Sequence, residues 1–138
     1  MELVQCSVEQ LPLIMALSWQ LFEDEKSDNV FTEEELEDRL KNALESDTKA
    51  YLFYQEGELA GYALVKVKAK PIYLWHFFIC RNMRRKHIGT EAFHLLMKEL
   101  DTDTIDLDVY CWNDRGRGFW KSLGFQERCI VMRRKSET

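Results

Sequence analysis

An α/β (α+β) fold is what these 138 residues predict: a mixed central sheet flanked by helices in the order β-α-α-β-β-β-α-β-α-β. Three observations lead there. Apolar stripes at helical spacing and stretches of strand period interleave along the chain instead of separating into halves. Residues 72–80 form a nine-residue run with apolar or aromatic side chains on both faces, as a central strand covered on both sides requires. No internal repeat, linker or boundary divides the chain, so residues 1–138 read as one domain.

Leu3–Cys6 reads as a short first strand. Ser7 and Gln10, three residues apart, form a capping box ahead of Leu11, Ile14, Leu17, Leu21 and Phe22, which predicts a helix over 8–23. Thr32 and Glu35 repeat the device, with Phe31 placed to staple onto Leu36. Leu36, Leu40 and Leu44 then carry a second helix to about Glu45. The period changes at Ala50–Gln55, and Glu56-Gly57-Glu58 marks a hairpin into a strand over Leu59–Lys68. Ile72–Cys80 is the central strand, favoured over helix by its aromatic and β-branched content. Gly89–Leu100 is helical, with Ile88, Ala92, Leu96 and Leu100 in line. Ile105, Leu107, Val109 and Cys111 alternate with Asp106, Asp108 and Tyr110, which is strand period. Asn113 or Asp114 caps a short helix to Leu123, Gly124 stops it, and Phe125–Arg134 is the last strand.

Composition excludes several classes. With 46% hydrophobic and 31% charged residues, 2 Pro and 6 Gly, the chain is neither disordered nor collagenous. Its length supports a core without disulfide or metal staples. No apolar run approaches the roughly 18 residues of a membrane span. Met1–Gln5 lacks the basic-then-apolar order of a signal peptide, so the expected compartment is the cytoplasm. Cys6, Cys80, Cys111 and Cys129 show no CxxC or Cys/His metal spacing; free buried thiols and no metal are expected. The net charge of −5 is unevenly placed: residues 1–50 carry 13 acids and 4 bases, and residues 81–138 carry 9 acids and 12 bases. That asymmetry suggests one cationic and one anionic ligand. The acidic balance argues against a nucleic-acid partner, despite Arg81, Arg84, Arg85, Lys86, Arg115 and Arg117.

The most informative stretch is Arg81–Thr90, between the central strand and an amphipathic helix. Backbone N–H groups at a helix N-terminus, with the helix dipole, bind anions. Arg84, Arg85 and Lys86 add charge, and Gly89 permits close backbone approach. The orders GxxxxGK[ST] and GxGxxG are both absent, so this is neither a P-loop nor a Rossmann fingerprint.

Arg84-x-x-x-x-Gly89 after an aromatic strand resembles the pyrophosphate loop of the GNAT superfamily of N-acetyltransferases, Gln/Arg-x-x-Gly-x-Gly/Ala. Asn113-x-x-Gly116-x-x-Phe119-Trp120-x-x-Leu123-Gly124-Phe125 resembles that family's second signature, Asn-x-x-Ala-x-x-Phe-Tyr-x-x-x-Gly-Phe. The resemblance implies acetyl-CoA as donor, with the pyrophosphate on the backbone of Arg85, Lys86, His87, Ile88, Gly89 and Thr90. It implies pantetheine pairing at Phe78 and Ile79, a contact or strand-spacing role for Asn113, and Phe119 packed beside the cofactor. Two positions depart from the pattern. His87 replaces the first glycine of the loop, and Trp120 replaces the tyrosine that commonly protonates the leaving thiolate. Tyr110 is the substitute candidate for that acid.

Acyl transfer to an amine needs a neutral nucleophile, and an alkylammonium of pKa about 10.4 must first lose a proton. His76, where the family often places a carboxylate or histidine, is the candidate base. The acids Glu23, Asp24, Glu25, Asp28 and Glu33–Glu35 flank the segment that often walls the acceptor site in this family, which favours a cationic small-molecule or peptide amine. A catalytically silent CoA-binding module is the alternative. Homodimers are common among similar proteins, and no sequence signature marks an interface.

Overall fold

The computed structural model describes residues 1–84 and 87–136. Nine elements follow in order: β1 (Glu2–Cys6), α1 (Leu11–Glu25), α2 (Glu33–Leu44), β2 (Thr48–Gln55), β3 (Glu58–Lys66), β4 (Ile72–Ile79), α3 (Ile88–Leu100), β5 (Ile105–Asp106) and α4 (Asp114–Ser122). The sheet runs in sequence order, antiparallel from β1 to β4, and parallel between β4 and β5.

Both expected capping boxes form. Ser7 and Gln10 close a 3-10 turn over Val8–Gln10 before α1, so the helix proper starts at Leu11 and runs two residues beyond the expected end. Thr32 and Glu35 cap α2 reciprocally. Alternation along the strands divides the core in two. Leu52, Tyr62, Leu64 and Phe78 face α1 and α2, where Ile14, Leu17, Leu36 and Leu40 are buried. Phe53, Ala63, Val65 and Ile79 face α3, where Ile88, Ala92, Phe93 and Leu96 are buried.

One irregularity sets the site. Leu64 pairs with His76 and Val65 with Leu74, which leaves Trp75 as a bulge in β4. A bulge bends a strand and re-aims its side chains. Trp75 and His76 consequently both pack on the α1 side, instead of alternating.

The end of the chain departs from expectation. β5 holds only two residues where a strand over 105–111 is expected, and residues 125–134 form no strand. Strand chemistry needs a partner edge, and neither stretch has one among the described residues. The cysteines also differ from expectation: Cys6 and Cys80 are half-buried, while Cys111 and Cys129 are exposed. Among the described residues no helix is long and apolar enough to cross a membrane.

Candidate functional site

β4 and β5 pair only at Ile72–Ile105 and Tyr73–Asp106. Beyond these the chains separate, and the edge of β4 from Leu74 to Ile79 faces no strand among the described residues. The gap is a cleft of about 500 Å³. One wall is β4 with Leu74, Trp75, Phe77, Phe78 and Ile79; the other is Leu107–Tyr110, with Asn113 and Phe119 below. The end of α1 closes it with Asp24 and Glu25.

At one end lies the start of α3. His87 precedes it in the left-handed conformation, at φ 62°, with no side-chain cap. That backbone explains why a glycine suits this position, and histidine is among the residues that tolerate it best. Gly89 lines the cleft over the Phe119 ring; a Cβ there would meet Phe119 Cε1 and Cζ at 3.2 Å. The first turn of a helix leaves N–H groups without intrahelical partners, which makes this end suited to an anion. Ile88 is buried and Thr90 lines the cleft mouth. Arg85 and Lys86, expected to add charge here, lie outside the described residues.

The Arg84 side chain does something other than wait for phosphate. Its Nε donates to Ile79 O at 2.8 Å, its guanidinium lies over the Phe78 ring, and it pairs with Asp24. Arg81 donates to the same carboxylate at 2.7 Å. Burial opposes the Asp24 charge, but these two guanidinium partners outweigh it and hold the carboxyl below its usual range. Asp24 therefore ties the end of α1 to the segment that precedes the anion site.

Glu25, the next residue, faces the cleft. Burial, with the neighbouring charge of Asp24 second, pushes its carboxyl up to about 7. Its surroundings are fixed from three sides. Lys26 turns the chain left-handed at φ 51° and ends α1. Trp112 Nε1 donates to Glu25 O at 3.0 Å. Tyr110, stacked on Trp112, bonds through its hydroxyl to Ser27 Oγ at 3.0 Å and accepts from Asn29 Nδ2 at 3.2 Å. Burial, followed by the charge of Asp108, pushes the Tyr73 phenol up to about 12.

The structure brings Phe78, Ile79, Arg84, His87, Gly89, Thr90, Tyr110, Asn113 and Phe119 to this one cleft. Asn113 serves there as the cap of α4, its Oδ1 accepting from Gly116 N at 3.0 Å. Gly116 stands where the family signature has alanine, and a Cβ would lie 2.4 Å from Asn113 Nδ2. Trp120 has its ring in an aromatic cluster with Phe77, Phe93 and Phe125.

His76 is not among the cleft-lining residues. Its ring is buried on the α1 side, with Nδ1 2.8 Å from Tyr62 OH, which in turn meets Ser18 Oγ at 3.0 Å. Burial first, then the charges of Arg39 and Lys66, push its pKa down to about 3, so the ring is neutral at physiological pH. Sequence reasoning placed Glu25 only within an acidic wall, and passed over Asp108 and Trp112. The cue for Asp108 was its place in an alternating strand pattern next to Tyr110.

A family model described as the acetyltransferase (GNAT) family matches residues 13–125. The chain belongs to the GNAT acetyltransferase family, enzymes that take their acetyl group from acetyl-CoA. Over an alignment 74 positions long the chain is 31% identical to an alpha-tubulin N-acetyltransferase of Plasmodium knowlesi (strain H); the match covers 44% of this chain and 39% of that protein. Among solved structures, a mutant of the BH1408 protein from Bacillus halodurans superposes with a TM-score of 0.76 at 22% identity, over 99% of each chain. A predicted acetyltransferase from Clostridium acetobutylicum with acetyl-CoA gives 0.72 at 15% identity, over 97% of this chain and 95% of that one. These likenesses show the same fold, α/β with one mixed sheet.

The residues present fit the donor. The free β4 edge offers main-chain groups to an extended amide-bearing arm, and the left-handed His87 with Gly89 shapes the anion end.

Proposed function

We propose that this chain acetylates a primary amine of a cationic acceptor, a small polyamine-like molecule or a lysine or N-terminal amine, by direct attack within one ternary complex. The observation that carries the reading is Glu25: a carboxyl on the cleft wall whose affinity for protons is raised to about 7. Bound acetyl-CoA supplies a thioester carbonyl open to attack. The backbone of Phe78 and Ile79 would hold its arm, and an N–H of that edge would be available to polarise the carbonyl. The N-terminus of α3, with Arg85 and Lys86, holds the pyrophosphate.

Glu25 takes the proton that the acceptor's ammonium must lose before its lone pair can react. This role is assigned to Glu25 in preference to His76, whose ring is neutral but sealed from the cleft by its place among Tyr62, Phe22 and Trp75. Asp108 and the ring of Tyr110 complement an alkylammonium. Tyr110 supplies the proton taken up by the leaving group, in place of the tyrosine that Trp120 displaces.

Titration with acetyl-CoA, followed by a screen of amines for thiol release, tests the reading. Donor at about 100 times its Kd should add about 2.7 kcal/mol to stability, visible as a rise in Tm. Thiol release with amines at rates above hydrolysis supports the transferase. Binding with no turnover on any amine would favour the silent CoA-binding module, for which Trp120 is the motive.

A further inference from the structure

The proton donor assigned to the leaving group is itself held by two partners. Tyr110 lines the cleft, and its hydroxyl oxygen meets two side chains of the turn that follows α1: Ser27 Oγ at 3.0 Å and Asn29 Nδ2 at 3.2 Å. The Asn29 amide nitrogen only donates, whereas a serine hydroxyl donates or accepts. Ser27 Oγ also accepts from the Asn29 backbone N–H at 3.3 Å, so the hydroxyl has an acceptor bond of its own and can turn its proton to Tyr110. Once Tyr110 has given its proton away, both neighbours can therefore donate to the oxygen left behind.

Local structure places each member of this trio. Around the left-handed Lys26, Lys26 N donates to Glu23 O at 3.2 Å and Ser27 N to Phe22 O at 3.0 Å. That pair of bonds is a Schellman turn, and it fixes where Ser27 leaves the helix. The Tyr110 ring stacks on Trp112 with centroids 4.6 Å apart and planes 15° apart, and Trp112 Nε1 donates to Glu25 O at 3.0 Å. Asp28, the one acid among residues 26–32, is paired with Arg133 at 3.4 Å. The end of α1 thus carries Glu25, which takes a proton from the acceptor, and two residues on begins the pair that meets the donor of the other proton.

We propose that Ser27 and Asn29 are positioning residues for the departure of the thiol: they hold the Tyr110 hydroxyl at the cleft and stabilise the charge it acquires, an inference that rests on the donor role of Tyr110 in the proposed reaction. In that step the Tyr110 O–H bond breaks and an S–H bond forms on the CoA sulfur. The bonding pair stays on the phenol oxygen, where two donors already in place meet it, as donors meet the oxygen of an attacked carbonyl. Solvent returns a proton to the oxygen after the thiol has left.

Thiol release from acetyl-CoA in single turnovers of the full chain, with spermidine and with water as acceptors, tests this. Asn29→Asp separates the role from a merely structural tie. It keeps the size of the side chain, and its carboxylate can still bond Tyr110, but only by accepting the phenol proton. The tie between the turn and Tyr110 survives, while the proton meant for the thiolate is captured and the charge that should form is repelled. Asn29→Asp should therefore slow thiol release by about tenfold or more, with Tm and acetyl-CoA affinity held. Ser27→Ala should slow it several-fold, and Ser27→Thr, which keeps a hydroxyl, should match wild type. In a Tyr110→Phe background none of these changes should slow the reaction further, because the oxygen they act on is gone. A wild-type rate in Asn29→Asp, a loss of the same size in the Tyr110→Phe background, or a loss confined to substrate binding would each overturn the proposal. A Tyr110→Phe enzyme as fast as wild type would instead remove the donor role of Tyr110 itself.

Discussion

At the scale of single residues, two groups compete for the proton of the acceptor, and their surroundings push them in opposite directions. His76 is buried and Glu25 half-buried, and burial disfavours the charged form of each: it raises Glu25 and lowers His76. Only the raised carboxyl ends near neutrality. With Glu25 as base the active form is deprotonated, so kcat/KM should rise with pH through about 7. Glu25→Gln should abolish that limb and lower kcat by about 10²-fold or more. His76→Ala should keep the limb while losing about 1–3 kcal/mol of stability, since it removes the ring that Tyr62 bonds. A pH–rate profile of both variants decides between them; a limb lost in His76→Ala alone would return the role to the histidine. Linkage adds a second readout. Folded Glu25 holds its proton to about 7, against an ordinary value near 4.5, so the folded state binds more protons across that window. Its contribution to stability therefore falls as pH rises from about 4.5 to 7. Glu25→Gln should melt above wild type at pH 8 and level with it at pH 4. None of this was legible in the sequence, where Glu25 is one acid among several. The backbone at Glu25 and the turn after it are tied to Trp112 and Tyr110, more than eighty residues away.

At the scale of elements, what local chemistry specifies was legible, and what pairing specifies was not. Ser7 with Gln10 and Thr32 with Glu35 carry their caps within four residues, so the starts of both helical segments follow from the sequence. The loop before α3 was placed by Gly89 and the strand before it. The bulge at Trp75 depends on the register between β3 and β4, which no local pattern encodes, and it turns His76 to the α1 side. The β3–β4 contact also depends on a missing side chain. Gly61 lies opposite Ile79, and a Cβ on it would stand 2.1 Å from Phe78 O. Gly61→Ala must therefore displace the β4 backbone at Phe78 and Ile79, where the donor's arm is proposed to pair. It should cost about 1–3 kcal/mol in a denaturant titration and weaken acetyl-CoA binding alongside. His87→Gly is the opposite experiment. Freed of a left-handed side chain, the loop should gain about 1 kcal/mol, read as a higher Tm. If the imidazole also contacts phosphate, the same change weakens acetyl-CoA in calorimetry; if it merely occupies a glycine position, affinity holds or improves.

At the scale of the whole molecule, charge is sorted along the chain, and the fold brings part of the acidic first third to the cleft. The acidic first third sends Asp24 and Glu25 to the cleft wall, joined by Asp108, while in the sequence the basic run directly precedes α3. The sequence disclosed the sorting, because net charge by segment needs no coordinates. It did not disclose that two guanidinium groups pair with Asp24 while Glu25 and Asp108 line the cleft beside it. The consequence separates acceptors by their remote charges. A monoamine meets the cleft with one ammonium, which must surrender its charge to react. A polyamine or a lysine-rich peptide keeps further charges outside, within the field of the acidic first third. Salt shortens that field, from a Debye length of about 30 Å at 0.01 M to about 3 Å at 1 M. Raising ionic strength across this range should therefore increase KM for a polyamine several-fold, while KM for a monoamine of similar reach changes by less than about twofold. Initial rates with the two acceptors, at saturating acetyl-CoA and fixed pH, measure the difference. Equal salt dependence would place the remote charges of the acceptor outside the reach of the enzyme and leave the acids of α2 as dipole-complementing helix charges.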